Sequence, residues 1–271
     1  MVLSARMKAR VTGWRDVLRP AYYWARHLRH RLVPRATYAA DSEDVAAGLL
    51  LGGIARFIDV GANDGISLSN TALLAVRGAR GLCFEPNPAD FRRLREFYRW
   101  SRRIECVEEG LSDVSGSKEL RSDGLLSAVT ETEDPGLTKL LVRFTRTDAP
   151  LTTIRVATLS TWLDRRPDFQ ACDLLSIDVE GHELKVLGGI DWRRHPKPAR
   201  CLIIETHSHG DQSSWLHRDY GAIDGLLVQQ GYVKVAANQN NTFWLHREDR
   251  DERRLAEARR RFPGFTWFPV G

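Results

Sequence analysis

The sequence predicts a doubly wound α/β fold, a mostly parallel sheet with helices on both faces. Three observations carry the prediction. Short apolar runs alternate with helix-like stretches from about residue 54 to residue 246. The runs are apolar throughout rather than alternating, as strands buried on both faces are. The first run ends in a Gly-rich turn, Asp59-Val60-Gly61-Ala62-Asn63-Asp64-Gly65, that leads into a helix-like stretch. With 271 residues, 42% hydrophobic and 28% charged, the chain suits one globular domain with additions. Those proportions exclude a disordered or collagen-like chain.

Residues 1–40 read as a basic, amphipathic helical arm. Positions 1–35 hold eight Arg and one Lys against the single acid Asp16, a net +8, while the other 236 residues carry −3. Trp14, Leu18, Tyr22, Ala25, Leu28 and Leu32 recur at helical spacing, and Pro20 divides the pattern into two short helices. Such an arm can lie on an anionic membrane surface, or it can brace the domain with its arginines in water. No apolar run reaches the ~18 residues that a membrane span needs. The arm also lacks the apolar segment of a secretory leader. Basic charge confined to the arm argues against nucleic acid as a partner of the folded body. The expected location is the cytoplasm, with the arm offering peripheral contact to the inner membrane face.

The domain proper is expected over 41–250. Strands are predicted at 56–60, 81–84 and 104–107, with helices at 67–76 and 88–100, the second capped by Asn87. Residues 116–155 read as a β-excursion with a loop near 131–136. A short helix follows at 158–164, a fourth strand at 173–178, a helix at 183–188 and a fifth strand at 200–205. A helix at 219–230 and a hairpin of 232–236 with 242–246 close the sheet, and 251–271 reads as a C-terminal tail. Cys83, Cys106, Cys172 and Cys201 form no CxxC pair and no zinc spacing, so they are expected as small buried hydrophobes in a reducing compartment.

Glycines in the turn after the first strand let the backbone bend sharply and approach a ligand, beside free helix N–H groups. A dinucleotide fingerprint G-x-G-x-x-G fails, because Asn63 and Ile66 stand where glycines are required, and no Gly-Lys-Ser/Thr marks a P-loop. Glu85 ends the second strand, 20 positions after Gly65, where an acid chelates ribose hydroxyls. Asp178, Glu180, His182 and Glu183 cluster after the fourth strand, and Glu205, His207 and His209 after the fifth. His182 and His207 are the natural bases for deprotonating an acceptor, with Asp178 or Glu180 orienting such a His or acting as base. Mg²⁺ would take Asp178, Glu205 and waters, but no spacing is diagnostic and no metal ligand is assigned. Trp162, Trp192 and Trp215 read as core before they read as a substrate-stacking lid.

The motifs D-V-G-A-N-D-G (59–65), F-E-P-N-P (84–88), E-G-L-S-D-x-x-G (109–116), T-L-S-T-W-L (158–163), S-I-D-V-E-G-H-E-x-x-V-L-G-G (176–189) and I-I-E-T-H (203–207) stand in this order. Together they resemble the FkbM family, class I S-adenosylmethionine (SAM)-dependent methyltransferases, mostly O-methyltransferases of natural products and sugars. The resemblance runs from about 56 to 250. It implies a Rossmann-like sheet of seven strands, order 3-2-1-4-5-7-6, the last antiparallel. It implies that Asp59, Gly61, Asn63 and Gly65 line the methionine part of SAM, with Asp64 and Asp178 as further cofactor contacts. Glu85 would take the ribose hydroxyls, Glu109, Gly110 and Leu111 would meet the adenine, and Pro86 and Asn87 would be further cofactor contacts. Many members carry Asn where this chain has Glu109. The implied reaction moves a methyl group to a hydroxyl of a small-molecule, sugar, glycolipid or polyketide-type acceptor by in-line displacement. The rival readings are an NAD-dependent oxidoreductase on the same fold class and a non-catalytic SAM-binding partner protein. N-methylation and the oligomeric state stay open.

Overall fold

The computed structural model describes residues 35–123, 126–129, 151–206 and 220–269, with single positions between 25 and 33. The basic arm therefore lies almost wholly outside the described residues.

Strands β1 (Arg56–Val60), β2 (Arg80–Phe84), β3 (Ile104–Val107), β8 (Cys172–Ile177) and β9 (Ala199–Glu205) are parallel neighbours in the order β9-β8-β1-β2-β3. Strand β11 (Asn241–His246) runs antiparallel to both β9 and β10 (Tyr232–Ala237). From β3 outward, these seven reproduce the expected order 3-2-1-4-5-7-6. The expectation of seven strands is corrected in one respect. A two-residue strand β12 (Thr266–Trp267) pairs antiparallel with β10, making eight strands among the described residues.

The helices sort to the two faces through their apolar residues. On one face lie α1 (Glu43–Leu51), α2 (Ala72–Val76) and α3 (Pro88–Phe97), whose Leu50, Leu73 and Phe97 pack with Phe57, Cys83 and Ile203. On the other lie α4 (Leu159–Arg165), α5 (Glu183–Gly188) and α6 (Tyr220–Gln229), whose Leu163, Leu187 and Leu227 pack with Ile58, Leu175 and Trp244. Asn87 caps α3 as expected, its side chain accepting from the Ala89 amide. Residues 251–271, read as a tail, carry α7 (Glu252–Arg261) and β12, and Leu255 and Ala258 enter the core beside α1. Seven of the ten residues of α7 are arginine or glutamate, and they hide that stripe of two apolar positions. All four cysteines are free thiols, and Cys83, Cys172 and Cys201 are buried.

The helix expected at 67–76 begins only at Ala72. Residues 66–71 form a loop instead, because side chains capture its amides: Asp64 accepts from Ile66 and Ser67, and Ser69 from Thr71 and Ala72. The predicted β-excursion is a second sheet. Its strands β4 (Gly110–Leu111), β5 (Gly116–Asp123), β6 (Leu126–Val129) and β7 (Leu151–Ala157) lie in the order β4-β7-β5-β6. The loop near 131–136 lies outside the described residues.

Candidate active site

A cavity of about 480 Å³ opens at the carboxyl ends of β1, β2, β8 and β9, with Leu120, Ile154 and Val156 of the second sheet as an apolar wall. This is the crevice where the order of a parallel sheet reverses around its first strand. Its floor is the turn after β1. Gly61 adopts φ +88° and Asn63 φ +50°, left-handed conformations that fold the chain back against the strand ends.

Two buried carboxylates hold that floor. Glu85 accepts from the Asn63 amide through Oε2 and from the Asn87 amide through Oε1, each at 2.8 Å. Burial pushes its carboxyl up to about 7 against those two hydrogen bonds. Asp59 accepts from Thr71 Oγ1 at 2.6 Å, and burial, with the charge of Asp178 nearby, pushes it to about 7 as well.

A second group of acids crosses from β8 to β9. Carboxylate oxygens of Asp178, Glu180 and Glu205 lie within 4.8 Å of one another, close enough to share a proton or a divalent cation. Burial and then repulsion from Asp178 push Glu180 up to about 8, and the same two causes push Glu205 well above the usual carboxylate range. The turn carrying Glu180 is left-handed at Glu180 (φ +53°) and Gly181 (φ +95°). Glu183 clamps it by accepting from the Val179 amide at 3.2 Å and the Gly181 amide at 3.1 Å. The clamp presents His182 to the cavity.

Asp59, Gly61, Asn63, Glu85, Pro86, Gly110, Leu111, Asp178, Glu180 and His182, all expected from sequence, line this one cavity. Four other expected contact residues stand behind the lining. Asp64 holds the loop amides and Ser67 Oγ. Gly65 lies under Leu94 and Tyr98, its carbonyl accepting from the Tyr98 hydroxyl at 2.9 Å. Asn87 caps α3, and Glu109 accepts from Trp162 Nε1 at 3.1 Å. These four brace the cavity rather than face it. His207, His209 and Trp215 lie outside the described residues. Trp162 packs edge-on against Phe84, and Trp192 against Tyr232, as core residues do.

Sequence reasoning missed Ser67, Leu68, Ser69, Asn70 and Asp90, and the three apolar residues of the second sheet. Asn70 donates to Ser176 Oγ at 3.3 Å across the floor. The run Ser67-Leu68-Ser69-Asn70-Thr71 carried the signal, since residues of this kind favour turns and caps over a helix interior.

A family model described as the methyltransferase FkbM domain matches residues 59–234. The chain belongs to the FkbM methyltransferase family. The match runs from the end of β1 into β10, so it contains every described residue that lines the cavity of this FkbM methyltransferase. Solved structures are similar at low identity. The METTL16 MTase domain is 13% identical, TM-score 0.44, over 76% of this chain and 66% of its own. An O-methyltransferase structure from Klebsiella pneumoniae is 14% identical, TM-score 0.44, over 84% and 89%. The O-methyltransferase from Bacillus cereus in complex with SAH is 11% identical, TM-score 0.43, over 83% and 89%. No curated protein matches the chain. Among the described residues of the FkbM methyltransferase, no helix is long and apolar enough to cross a membrane.

Proposed function

We propose that the cavity binds SAM and that the methyl group passes to a hydroxyl of a small-molecule acceptor. The single observation that carries this reading is Glu85, a buried carboxylate lining the cavity at the end of β2, directly above the left-handed Gly61–Asn63 turn. A carboxylate there suits the paired hydroxyls of a ribose. Pro86, Gly110 and Leu111 would flank the adenine, and Asp59 and Asn63 the methionine end. Bound there, SAM would supply a methyl carbon activated by its sulfonium, which the acceptor oxygen would take as the carbon–sulfur bond breaks, with S-adenosylhomocysteine as the leaving group.

On the acceptor side, His182 is the base that takes the hydroxyl proton, with Asp178 and Glu180 alongside. Holding the hydroxyl in line with the methyl carbon is the other part of the catalysis. The apolar wall of Leu120, Ile154 and Val156, and the exposed Leu68 at the rim, fit an acceptor with an apolar portion, of the sugar, glycolipid or polyketide type. A glycolipid acceptor would give the +8 arm a purpose at an anionic bilayer. Equal pelleting with anionic liposomes, with and without residues 1–40, would remove that link.

The test of the cofactor is isothermal titration with SAM, comparing wild type and Glu85→Ala. Micromolar binding by wild type, lost in the variant, is the expected result. Absence of binding by wild type at saturating SAM overturns the reading. Hydroxylated acceptors are then screened with Mg²⁺ and with chelator, and turnover that survives the chelator is expected.

A further inference from the structure

The motif residues Ser112 and Asp113, which follow β4, have no part in the cavity lining. They nevertheless reach it through a chain of hydrogen bonds. Ser112 Oγ lies 3.0 Å from His182 Nε2. The same hydroxyl donates to Asp113 Oδ1 at 2.9 Å, and Lys185 Nζ donates to Asp113 Oδ2 at 3.0 Å. The chain runs from a cavity-lining imidazole, through a fully buried hydroxyl, to an ion pair at the surface.

Its direction follows from the donor inventory. A serine hydroxyl has one proton to give. An ionised carboxylate only accepts, and a hydrogen bond to it is roughly twice as strong as a neutral one. Burial pushes the Asp113 carboxyl up, but the hydrogen bonds from Lys185 and Ser112 outweigh it and hold the group below its ordinary value. The Ser112 proton therefore points to Asp113, and the Ser112 oxygen is left to accept. His182 must then donate through Nε2–H. In a neutral imidazole the lone pair is consequently on Nδ1.

The frame around Ser112 is rigid. Its amide donates to the Ala157 carbonyl of β7 at 2.9 Å. On the other side, Gly189 closes α5 so tightly against it that a Cβ there would lie 2.1 Å from the Ser112 carbonyl oxygen. Glu183 fixes the turn that carries His182, its Oε1 accepting from the Val179 and Gly181 amides.

We propose that Ser112 and Asp113 are positioning residues that lock His182 as its Nε2–H tautomer, leaving Nδ1 as the nitrogen that accepts the acceptor's proton. The catalytic meaning of the lock rests on the reading of His182 as base; the tautomer itself does not.

The test is nitrogen-15 NMR of the full chain labelled at its eight histidines, with the His182 signals assigned by their loss in His182→Gln. Wild type is expected to show a protonated Nε2 and an unprotonated Nδ1 above the imidazole pKa. Ser112→Ala and Asp113→Ala are expected to show a mixture of both tautomers. Asp113 is partly exposed, so its variant remains informative if loss of the buried Ser112 hydroxyl disturbs folding. A wild-type Nδ1–H tautomer, or a folded Asp113→Ala with the wild-type pattern, overturns the proposal. With an acceptor in hand, Asp113→Ala should lower kcat at least roughly tenfold while SAM affinity stays unchanged. The NMR result stands whether or not SAM binds, so failure of the relay and failure of the methyl-transfer reading are separable.

Discussion

A Cβ built on Gly61 would lie 1.7 Å from the carbonyl oxygen of Asp178. The turn after β1 thus abuts the backbone that leaves β8, and Gly61 also needs φ +88°. Both demands exclude any side chain. Gly61→Ala is expected to cost at least ~1–3 kcal/mol from backbone strain alone, with the collision added. Thermal melting checks the first effect, and SAM titration on whatever folds checks the second. A variant that melts and binds like wild type would contradict the tight crossing.

Ligand-free protein is expected to lose stability as pH rises from about 5 to 8. Asp59, Glu85 and Glu183 are pushed up to about 7, and Glu180 to about 8, from ordinary values of 3.8 and 4.5. Between the ordinary and the raised values, the fold retains protons that the unfolded chain has released. The slope of stability with pH is then negative in that window, and flat from these groups below and above it. His246, lowered by burial and by Lys197, works in the opposite sense but is one group against four. Melting temperatures that climb from pH 5 to pH 8 would contradict this account.

SAM carries a net positive charge at its sulfonium. Its binding should favour the ionised forms of Asp59, Glu85 and Glu180 and expel protons from them. Affinity is therefore expected to be higher at pH 8 than at pH 6. Titration in two buffers of different ionisation heat reads the protons released. Tighter binding at pH 6 would show that the acids do not face the cation.

Glu109 and Glu85 should behave differently although both were read as cofactor contacts. Glu109 accepts from Trp162 behind the lining, so Glu109→Asn is expected to change SAM affinity by less than about twofold and stability by ~1 kcal/mol. Loss of binding in Glu109→Asn comparable to that in Glu85→Ala would place the Glu109 carboxylate on the cofactor.

The sheet was legible because buried parallel strands announce themselves as unbroken apolar runs; RFIDV and DLLSI appear in the structure almost residue for residue. The ends of β2 and β8 were legible because acids at strand ends have few structural uses. What was illegible depended on contacts distant in sequence. Nothing local distinguishes Glu109, which meets a tryptophan 53 positions away, from an acid that faces the cavity. Residues 67–71 read as the start of a helix, but Asp64 and Ser69 capture amides there and hold the stretch as a loop. The apolar wall belongs to a separate sheet, whose approach to the first is set by tertiary packing.

The two-residue strand β12 has a consequence for life at high concentration. A sheet margin with free amides and carbonyls is a template on which another chain can add. Here Ala236 and Ala237 at the outer side of β10 are covered by Thr266 and Trp267, and Arg259 of the arginine-rich α7 donates to the Phe268 carbonyl just beyond them. Residues 251–269 thus work as a hem: they finish the fabric on that side, and a chain cut before residue 251 would be left with a raw edge prone to fray into aggregates.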